Sequence, residues 1–281
     1  MSKQITKIAI VGVGLIGGSI GLALKKKKIA QEVVGLCRRK SSLIKALKYK
    51  TVDRATLNIE DAVKGAEIVF IATPVNKIAN IVGQIAKKAD KKTVITDVGS
   101  VKSLLINKIN KTLSRNIFFI GGHPMAGSEK SGTEKAQADL FVNSVCILVK
   151  DKNTNEAALS MIKKIWQEIG SDVKVLSSKE HDAFISQISH FPHLLAYTLT
   201  NMARPEALQY AATGFRDTTR IASSDPKLWA SIMLLNKKNI RDNVNTFIKK
   251  LRHIQKLIAK NKEKEIIRIF TESKNKRDKV F

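Results

Sequence analysis

The chain has 281 residues, 43% of them hydrophobic, which is enough for one large or two ordinary domains around a sizeable core. Its 50 lysine and arginine residues against 24 acidic ones give a net charge of +26, but aromatic residues make up only 5% of the chain. Most of the excess is lysine without the interleaved aromatics that stack on bases, which argues against a nucleic-acid-binding surface. No uninterrupted apolar run of about 18 residues predicts a membrane span, and we expect a cytoplasmic protein.

Short β-branched runs alternate with amphipathic stretches over the first 176 residues. Helices are expected, for example, over 76–89 and 155–169, and such alternation is typical of a doubly wound α/β fold with a parallel sheet. The predicted strands are 7–11, 32–37, 67–72, 93–98, 116–121, 144–149 and 172–176.

From residue 177 onward the pattern is helical, apart from a Gly/Pro-marked break between 203 and 217. We therefore predict two domains, an α/β domain over 1–176 and an all-helical domain over 177–281. Helical spacing of apolar residues predicts either an internal core or an interface between two copies of the chain. These residues are Ile232, Leu235, Ile240, Val244, Phe247, Leu251, Ile254 and Leu257.

Cys37 and Cys146 both lie in apolar, strand-like surroundings. Two such cysteines in a chain of this kind are typical of buried, reduced thiols rather than of a disulfide framework.

The stretch "IAIVGVGLIGGSIG" places Gly12, Gly14 and Gly17 in a G-x-G-x-x-G pattern between a predicted strand and a predicted helix. The first glycine permits a tight turn, the second lets the backbone approach a pyrophosphate, and the third allows close packing of helix and strand. In this context the pattern predicts dinucleotide binding by a Rossmann-type fold. Leu15 and Ile16 lie within the same loop and belong to the expected cofactor site.

The end of the second predicted strand, "VVGLCRRK", departs from the pattern of an NAD site. An acidic residue there would bind both ribose hydroxyls, but this chain has Cys37 followed by Arg38 and Arg39. Guanidinium groups match phosphate oxygens, and Ser41, with Ser42 beyond it, could add donors. We expect NADP to be preferred, with NAD still possible.

Two candidate catalytic residues follow predicted strands, where the loops of such folds line the ligand crevice. Ser100 lies in "TDVGSVKS" and His123 in the loop of "GGHPMAGSEKSG". A histidine titrates near neutral pH and could act as a general base. Ser100 could orient it, and could also cap a helix starting at Val101.

Other polar residues belong to the helical half. His190 and His193 share a predicted helix face and, with His123, could make a three-histidine metal site, although Pro192 between them indicates a first turn or a kink. In "GFRDTTR", Arg216 or Arg220 could hold a carboxylate and Asp217 could fix an arginine; a surface ion pair is the alternative.

Several of these motifs, in this order, make the chain resemble the prephenate/arogenate dehydrogenase family of tyrosine biosynthesis. The resemblance covers about residues 6–250 and rests on "VGVGLIGGSIG", "ATPV", "DVGSVK", "GGHPMAGSEKSG", "SHFPH" and "GFRDTTRIASSDPKLW". It implies oxidative decarboxylation of prephenate or arogenate, a nicotinamide cofactor and a homodimer.

The resemblance also implies residue roles. His123 is the expected base on the ring hydroxyl, and Ser100 is expected to orient His123 and the nicotinamide. His193 is expected to contact substrate and Arg220 to hold a substrate carboxylate. Further residues of the matching motifs are assigned to the substrate site (His190, Ser128, Glu129, Trp229) and to the cofactor site (Thr73, Pro74).

Two other functions stay open at this point. A related dehydrogenase with a helical C-terminal domain, acting on a β-hydroxyacid or a cyclic imine, explains the glycines but not the His123 loop together with "GFRDTTR". A nucleic-acid-binding protein on a vestigial nucleotide fold explains only the charge.

Overall fold

The computed structural model describes residues 4–113, 116–127 and 132–280. Its strands are β1 (Ile5–Val11), β2 (Ala30–Leu36), β3 (Arg54–Thr56), β4 (Ile68–Ile71), β5 (Val94–Asp97), β6 (Phe118–Ile120), β7 (Gly122–Pro124), β8 (Val145–Val149) and β9 (Asp172–Leu176). Its helices are α1 (Leu15–Lys26), α2 (Lys40–Lys48), α3 (Ile59–Val63), α4 (Val75–Ala86), α5 (Ser103–Ile109), α6 (Glu156–Glu168), α7 (Ser178–Ile185), α8 (Phe191–Met202), α9 (Pro205–Leu208), α10 (Thr213–Thr219), α11 (Pro226–Leu235), α12 (Lys237–Ala259) and α13 (Glu263–Asp278).

Six parallel strands form the main sheet, in the order β3-β2-β1-β4-β5-β6. The strand order reverses between β1 and β4, which places a ligand crevice at the carboxyl ends of these strands. The predicted Rossmann-type fold is confirmed. The short edge strand β3 was not predicted, because three residues give too brief a pattern.

The central strands are buried on both faces, which is why they read as continuous apolar runs. Side chains alternate between faces, so Ile8 and Ile10 of β1 pack in one core cluster while Ala9 and Val11 pack in the other. Trp166 of α6 is fully buried in the first cluster and contacts the ring of Phe70 edge-on, at 6.0 Å between centroids.

A second, three-stranded sheet has the order β7-β8-β9. The predicted strands 144–149 and 172–176 belong to this sheet and pair with each other in parallel, whereas β7 runs antiparallel to β8. The sequence pattern did not separate the two sheets, because β7 follows β6 after a single residue and contains Gly and Pro, which are depleted in strands.

The chain beyond β9 is helical, as expected. A π-helical turn (Ser186–His190) joins α7 to α8, and the break between 203 and 217 contains the short helix α9 and the start of α10. Pro192 is the second residue of α8 and directly follows the π-helical turn, in agreement with the predicted first turn or kink.

Packing divides the chain into two compact units, Met1–Asn236 and Lys237–Phe281. This division does not coincide with the boundary near 177, which stays a prediction. The apolar periodicity from Ile232 to Leu257 crosses the end of α11 at Leu235 and continues in α12 of the second unit. Among the described residues, no helix is long and apolar enough to cross a membrane.

Candidate active site

The turn between β1 and α1 requires glycine at two positions. Gly12 has φ +92°, and a Cβ there would lie 2.6 Å from the carbonyl oxygen of Ala72. A Cβ on Gly17 would lie 2.1 Å from the carbonyl oxygen of Gly12. A Cβ on Gly14 would meet no atom of residues 4–113, 116–127 or 132–280 within 4 Å, so packing against this part of the chain does not explain the glycine. The open space at Gly14 is where the backbone could approach a pyrophosphate.

Helix α1 begins beside that space, with Gly14 as its N-cap. No side chain of the described residues caps this end and its first turn contains no acidic residue, so its backbone N–H groups and the positive end of its dipole are placed to receive an anion. Leu15 and Ile16 form the half-buried start of the helix. The turn therefore fits the phosphates of a dinucleotide.

A cleft of about 740 Å³ opens over the turn. Thr73 and Pro74, which follow β4, line it, and the hydroxyl oxygen of Thr73 is buried without a hydrogen-bond partner among the described residues. A bound ligand would satisfy that oxygen, since buried polar groups are normally hydrogen-bonded. The cleft, the open turn and this oxygen together fit a nicotinamide dinucleotide.

The end of β2 supplies cations to the same cleft. Cys37 is buried, and burial raises the pKa of its thiol, so it contributes no anion. Arg38 lines the cleft, while Arg39 is the exposed N-cap of α2. Ser42 lines the cleft, whereas the predicted Ser41 is exposed and does not contribute to the lining.

Three further charged residues at the cleft were not predicted, and one of them is Lys77 of α4. Lys45 of α2 and Glu134, in a 3-10 turn (Thr133–Lys135), both line it and form an ion pair at 3.3 Å. The hydroxyl of Thr133 is buried and donates to the carbonyl oxygen of Val13 in the phosphate turn. The segment after the His123 loop thus packs directly on the cofactor turn, a long-range contact that no local pattern reveals.

Asp97, at the end of β5, ties the two predicted catalytic loops together. Its carboxylate accepts hydrogen bonds from the backbone N–H of Gly99, at 2.8 Å, and of Gly122, at 3.1 Å. These two residues immediately precede Ser100 and His123 in the sequence. One buried side chain therefore fixes the backbone on which both candidates lie.

Lys102 neutralises that carboxylate. Its Nζ lies 2.6 Å from Oδ2 of Asp97, and both side chains are fully buried. A buried ion pair contributes little net stability, but removal of one partner would strand the other charge, at a cost of about 3–5 kcal/mol. The pair thus restricts substitution at both positions.

The expected helix cap by Ser100 is wrong. Helix α5 begins at Ser103, three residues beyond Ser100, and its first backbone N–H groups are bound by Asp182 of α7. Lys102 N and Ser103 N donate to the two carboxylate oxygens at 2.8 and 2.9 Å. The half-buried Ser100 therefore lies in a loop held at Gly99 by Asp97 and at Lys102 by Asp182.

His123 lies on β7 rather than in a loop, and it is buried. Its Nδ1 lies 2.9 Å from Nε2 of His181, and Nδ1 of His181 lies 2.9 Å from Oδ1 of Asp182. Burial, together with the nearby His181 and Lys102, holds the pKa of His123 well below its usual value. The imidazole of His123 is therefore neutral at pH 7 and able to accept a proton.

His190 is fully buried at the end of the π-helical turn. The amide nitrogen of Asn236 donates to the carbonyl oxygen of Asp182 and also lies 3.1 Å from Nδ1 of His190. Nδ1 of His190 is therefore the acceptor, and the proton of the neutral ring is on Nε2, which lacks a partner among the described residues. Burial lowers the pKa of His190 to about 4.

His193 lies on α8 and stacks on Trp229 of α11, with ring centroids 3.4 Å apart. Its Nδ1 bonds the carbonyl oxygen of Ser189, which leaves Nε2 for another partner. Burial, with the charge of Arg220 nearby, lowers the pKa of His193. The structure thus brings together three residues that sequence analysis assigned to the substrate: His193, Trp229 and Arg220.

Other predicted residues lie apart or outside the described chain. Arg216 and Asp217 form an exposed pair at 3.8 Å, which matches the surface ion pair weighed as the alternative. Ser128 and Glu129 lie outside the described residues. Within the ranges that the structure describes, no three histidine, cysteine or acidic side chains are placed to hold a metal ion.

Two family models match the chain. "Prephenate dehydrogenase, nucleotide-binding domain" matches residues 20–175, and "Prephenate dehydrogenase, dimerization domain" matches residues 177–272. The prephenate dehydrogenase of Bacillus subtilis is 35% identical over 99% of this chain and 77% of its own length. The cyclohexadienyl dehydrogenase of Zymomonas mobilis is 33% identical over 96% of this chain and 94% of its own.

A solved structure agrees with these matches. The prephenate dehydrogenase of A. aeolicus, crystallised with hydroxyphenyl propionate and NAD+, superimposes with a TM-score of 0.94 at 32% identity, and the match covers 100% of both chains. The predicted family resemblance is confirmed, and it favours a dehydrogenase over the nucleic-acid-binding alternative. The chain belongs to the prephenate dehydrogenase family and is a nicotinamide-dependent oxidoreductase.

Proposed function

We propose that this chain oxidises prephenate or arogenate with NADP, with loss of carbon dioxide, to give 4-hydroxyphenylpyruvate or tyrosine. The observation that carries the assignment is His123, a buried and neutral imidazole tied through Gly122 and Asp97 to the loop of Ser100. A base held in this way is suited to deprotonate a ring hydroxyl.

His123 has one nitrogen left for substrate. Its Nδ1 is engaged by His181, so Nε2 is the atom that would accept the hydroxyl proton. When bound, the nicotinamide ring would accept the hydride from the carbon that bears this hydroxyl. The ketone that forms is conjugated to the carboxylate-bearing ring carbon, so loss of carbon dioxide makes the ring aromatic. The protein supplies the base, orientation and charge complementarity.

Ser100 is proposed to hold the substrate hydroxyl toward His123 and to contact the nicotinamide. The buried Nε2–H of His190 makes no hydrogen bond of good geometry among the described residues, although the backbone of Ser100 is close enough to be a weak acceptor. An acceptor atom of the substrate or the cofactor would satisfy it, since an unsatisfied buried donor costs about 1–3 kcal/mol. His190 is therefore assigned to ligand binding beside Ser100.

The ring carboxylate of the substrate, opposite the hydroxyl that faces His123, is assigned to residues of α8 and of the segment after α10. Arg220 begins a 3-10 turn (Arg220–Ser223) close enough to His193 to influence its pKa. Its guanidinium can bind a carboxylate with two parallel hydrogen bonds, and we assign the ring carboxylate to it. Trp229 stacks on the ring of His193 and fixes its orientation.

The preference for NADP rests on the charges at the end of β2. Arg38 and Lys45 line the cleft there, Glu134 is the one acid among its described lining residues, and Cys37 takes the position at which NAD-binding folds place a carboxylate. Two cations favour the 2′-phosphate that distinguishes NADP. Part of the positive charge of Lys45 is offset by Glu134, so Arg38 carries most of this preference.

We propose a homodimer as the working form and the cytoplasm as its location. The matched C-terminal model is described as a dimerization domain. Large apolar side chains are exposed along the helical part of the first unit, where a second copy could cover them: Phe184, Ile188, Met202, Tyr210 and Leu234. Sedimentation at micromolar concentration should give twice the chain mass, and a monomer would contradict the proposal.

The assay that tests the function follows formation of reduced cofactor by the purified chain with prephenate or arogenate, each with NAD and NADP. Turnover with at least one substrate, accompanied by the aromatic product, is expected. Absence of turnover in all four combinations would refute the proposal. Turnover that favours NAD would refute only the cofactor preference.

A further inference from the structure

Two buried titratable residues beside His123 have no role in the chemistry described above. His181 and Asp182 are neighbours on α7, and they continue the hydrogen-bond chain that begins at Nδ1 of His123. Both links measure 2.9 Å, and all three side chains are buried. A chain of this kind fixes the position of every proton along it.

The proton positions follow from the carboxylate end. Burial opposes ionisation of Asp182, but its hydrogen bonds to His181 and to the backbone N–H groups of Lys102 and Ser103 outweigh burial, so its pKa lies below the usual value. An ionised carboxylate only accepts, so Nδ1 of His181 must donate to it.

The same reasoning extends to His123. Burial lowers the pKa of His181 more than Asp182 raises it, so this ring is also neutral at pH 7. With its proton on Nδ1, His181 offers only a lone pair at Nε2, and His123 must donate from its own Nδ1. The remaining nitrogen of His123, Nε2, is then unprotonated, as a general base requires.

We propose that Asp182, acting through His181, is a positioning residue that keeps His123 in the tautomer competent for catalysis and stabilises its protonated form. This inference rests on the proposed function. During turnover the O–H bond of the substrate hydroxyl breaks and an N–H bond forms at Nε2 of His123. No proton passes to Asp182, which stays ionised and faces the new imidazolium through one intervening ring.

The other charged and titratable groups that the structure describes around His123 do not stabilise its protonated form in place of Asp182. Those facing His123 are Lys102 before α5, Asp97 on β5, His190 in the π-helical turn and Cys146 on β8. Lys102 and the histidines oppose protonation of His123, and burial raises the pKa of Cys146, which keeps its thiol neutral. Asp97 is already paired with Lys102 at 2.6 Å. Among the described residues, Asp182 is therefore the anion available to offset the imidazolium.

Asp182→Asn tests the inference most sharply. Oδ1 accepts from Lys102 N–H as well as facing His181, and Oδ2 accepts from Ser103 N–H, so the amide NH2 opposes a backbone donor in either orientation. At the Oδ1 position the NH2 faces Nδ1 of His181, reverses the hydrogen-bond chain and places the proton of His123 on Nε2; in both orientations the anion is lost. We expect kcat to fall by about 10²-fold or more with little change in KM, as for loss of a general base. Loss of the anion should also move the acidic limb of the kcat/KM profile to lower pH, a shift that a purely structural defect would not cause.

Two further variants separate this effect from loosened packing. Glu180→Ala removes the capping box at the start of α7, in which Glu180 Oε2 accepts from the backbone N–H of Ser177 at 2.9 Å, a contact outside the chain of proton donors. It should leave kcat and the pH profile near wild type. His181→Gln keeps Asp182 and its two backbone bonds, so it remains informative if Asp182→Asn does not fold, and it should lower kcat at least tenfold.

Nitrogen-15 NMR of labelled histidine reads the tautomer directly in the wild-type protein, whether or not turnover is detected. Nε2 of His123 should be unprotonated in wild type and protonated in Asp182→Asn. A protonated Nε2 in wild type, or a folded Asp182→Asn variant with wild-type kcat and pH limb, would overturn the inference. Failure of the proposed function would appear differently, as absence of turnover with the predicted tautomer intact.

Discussion

Burial of His190 as a neutral imidazole should make the stability of the protein depend on pH. The pKa of His190 is about 4 in the folded protein against 6.5 for an ordinary histidine. Between these values the unfolded chain binds more protons than the folded one, so stability falls as the pH is lowered. From pH 7 to pH 5, the two pKa values give a loss of about 2 kcal/mol from this residue alone.

Urea unfolding at both pH values, followed by tryptophan fluorescence, measures this contribution. Carboxylates and other histidines also respond to pH, so the quantity of interest is the difference between wild type and His190→Gln. The variant can still accept from Asn236, and its stability should fall by about 2 kcal/mol less between pH 7 and pH 5. His253→Gln, at an exposed histidine on α12, is the matched control and should retain the wild-type dependence.

An equal loss of stability in wild type and His190→Gln would refute the reasoning. It would mean that His190 either takes up a proton in the folded protein at pH 5 or reaches solvent. In either case the Nε2–H of His190 would not be a buried donor available to a ligand.

Three further outcomes are expected. Arg220→Ala should raise the KM for substrate at least tenfold and leave cofactor affinity unchanged, because a charge-assisted contact with the substrate carboxylate is lost. An unchanged substrate KM in steady-state kinetics would reassign Arg220 to a structural role. The double variant Arg38→Ala/Arg39→Ala should lose the preference for NADP in kcat/KM, and a retained preference would show that these arginines do not read the phosphate. Cys37 and Cys146 should not react with a thiol reagent until the protein unfolds, because both are buried and burial raises the pKa of both thiols. Rapid modification of either cysteine in the native protein would contradict this.

The sequence predicted those parts of the fold that depend on local pattern. The strands of the main sheet are continuous apolar runs, and the glycine turn has a fixed spacing, so both could be located without a structure. The end of α11 before Asn236 could not be located in this way. The amide of Asn236 is buried by contacts with Asp182 and His190, which lie about 50 positions earlier in the chain.

Sequence analysis could locate only those parts of the site that directly follow predicted strands. Ser100 and His123 follow strands and could be recognised, whereas the supporting residues Asp97, Lys102, His181 and Asp182 could not. One signal was available for the last two: the buried positions of α7 include 178, 181, 182 and 185, so a His-Asp pair lies on the face that helical spacing assigns to the core. Buried polar residues on such a face are normally paired and mark a network.

The central claim is that His123 is the base of a dehydrogenation, and the most direct measurement is turnover by His123→Asn with the substrate and cofactor that wild type prefers. We expect kcat to fall by about 10²–10⁴-fold while KM and the affinity for cofactor change little. A folded His123→Asn variant with near wild-type kcat would contradict the account.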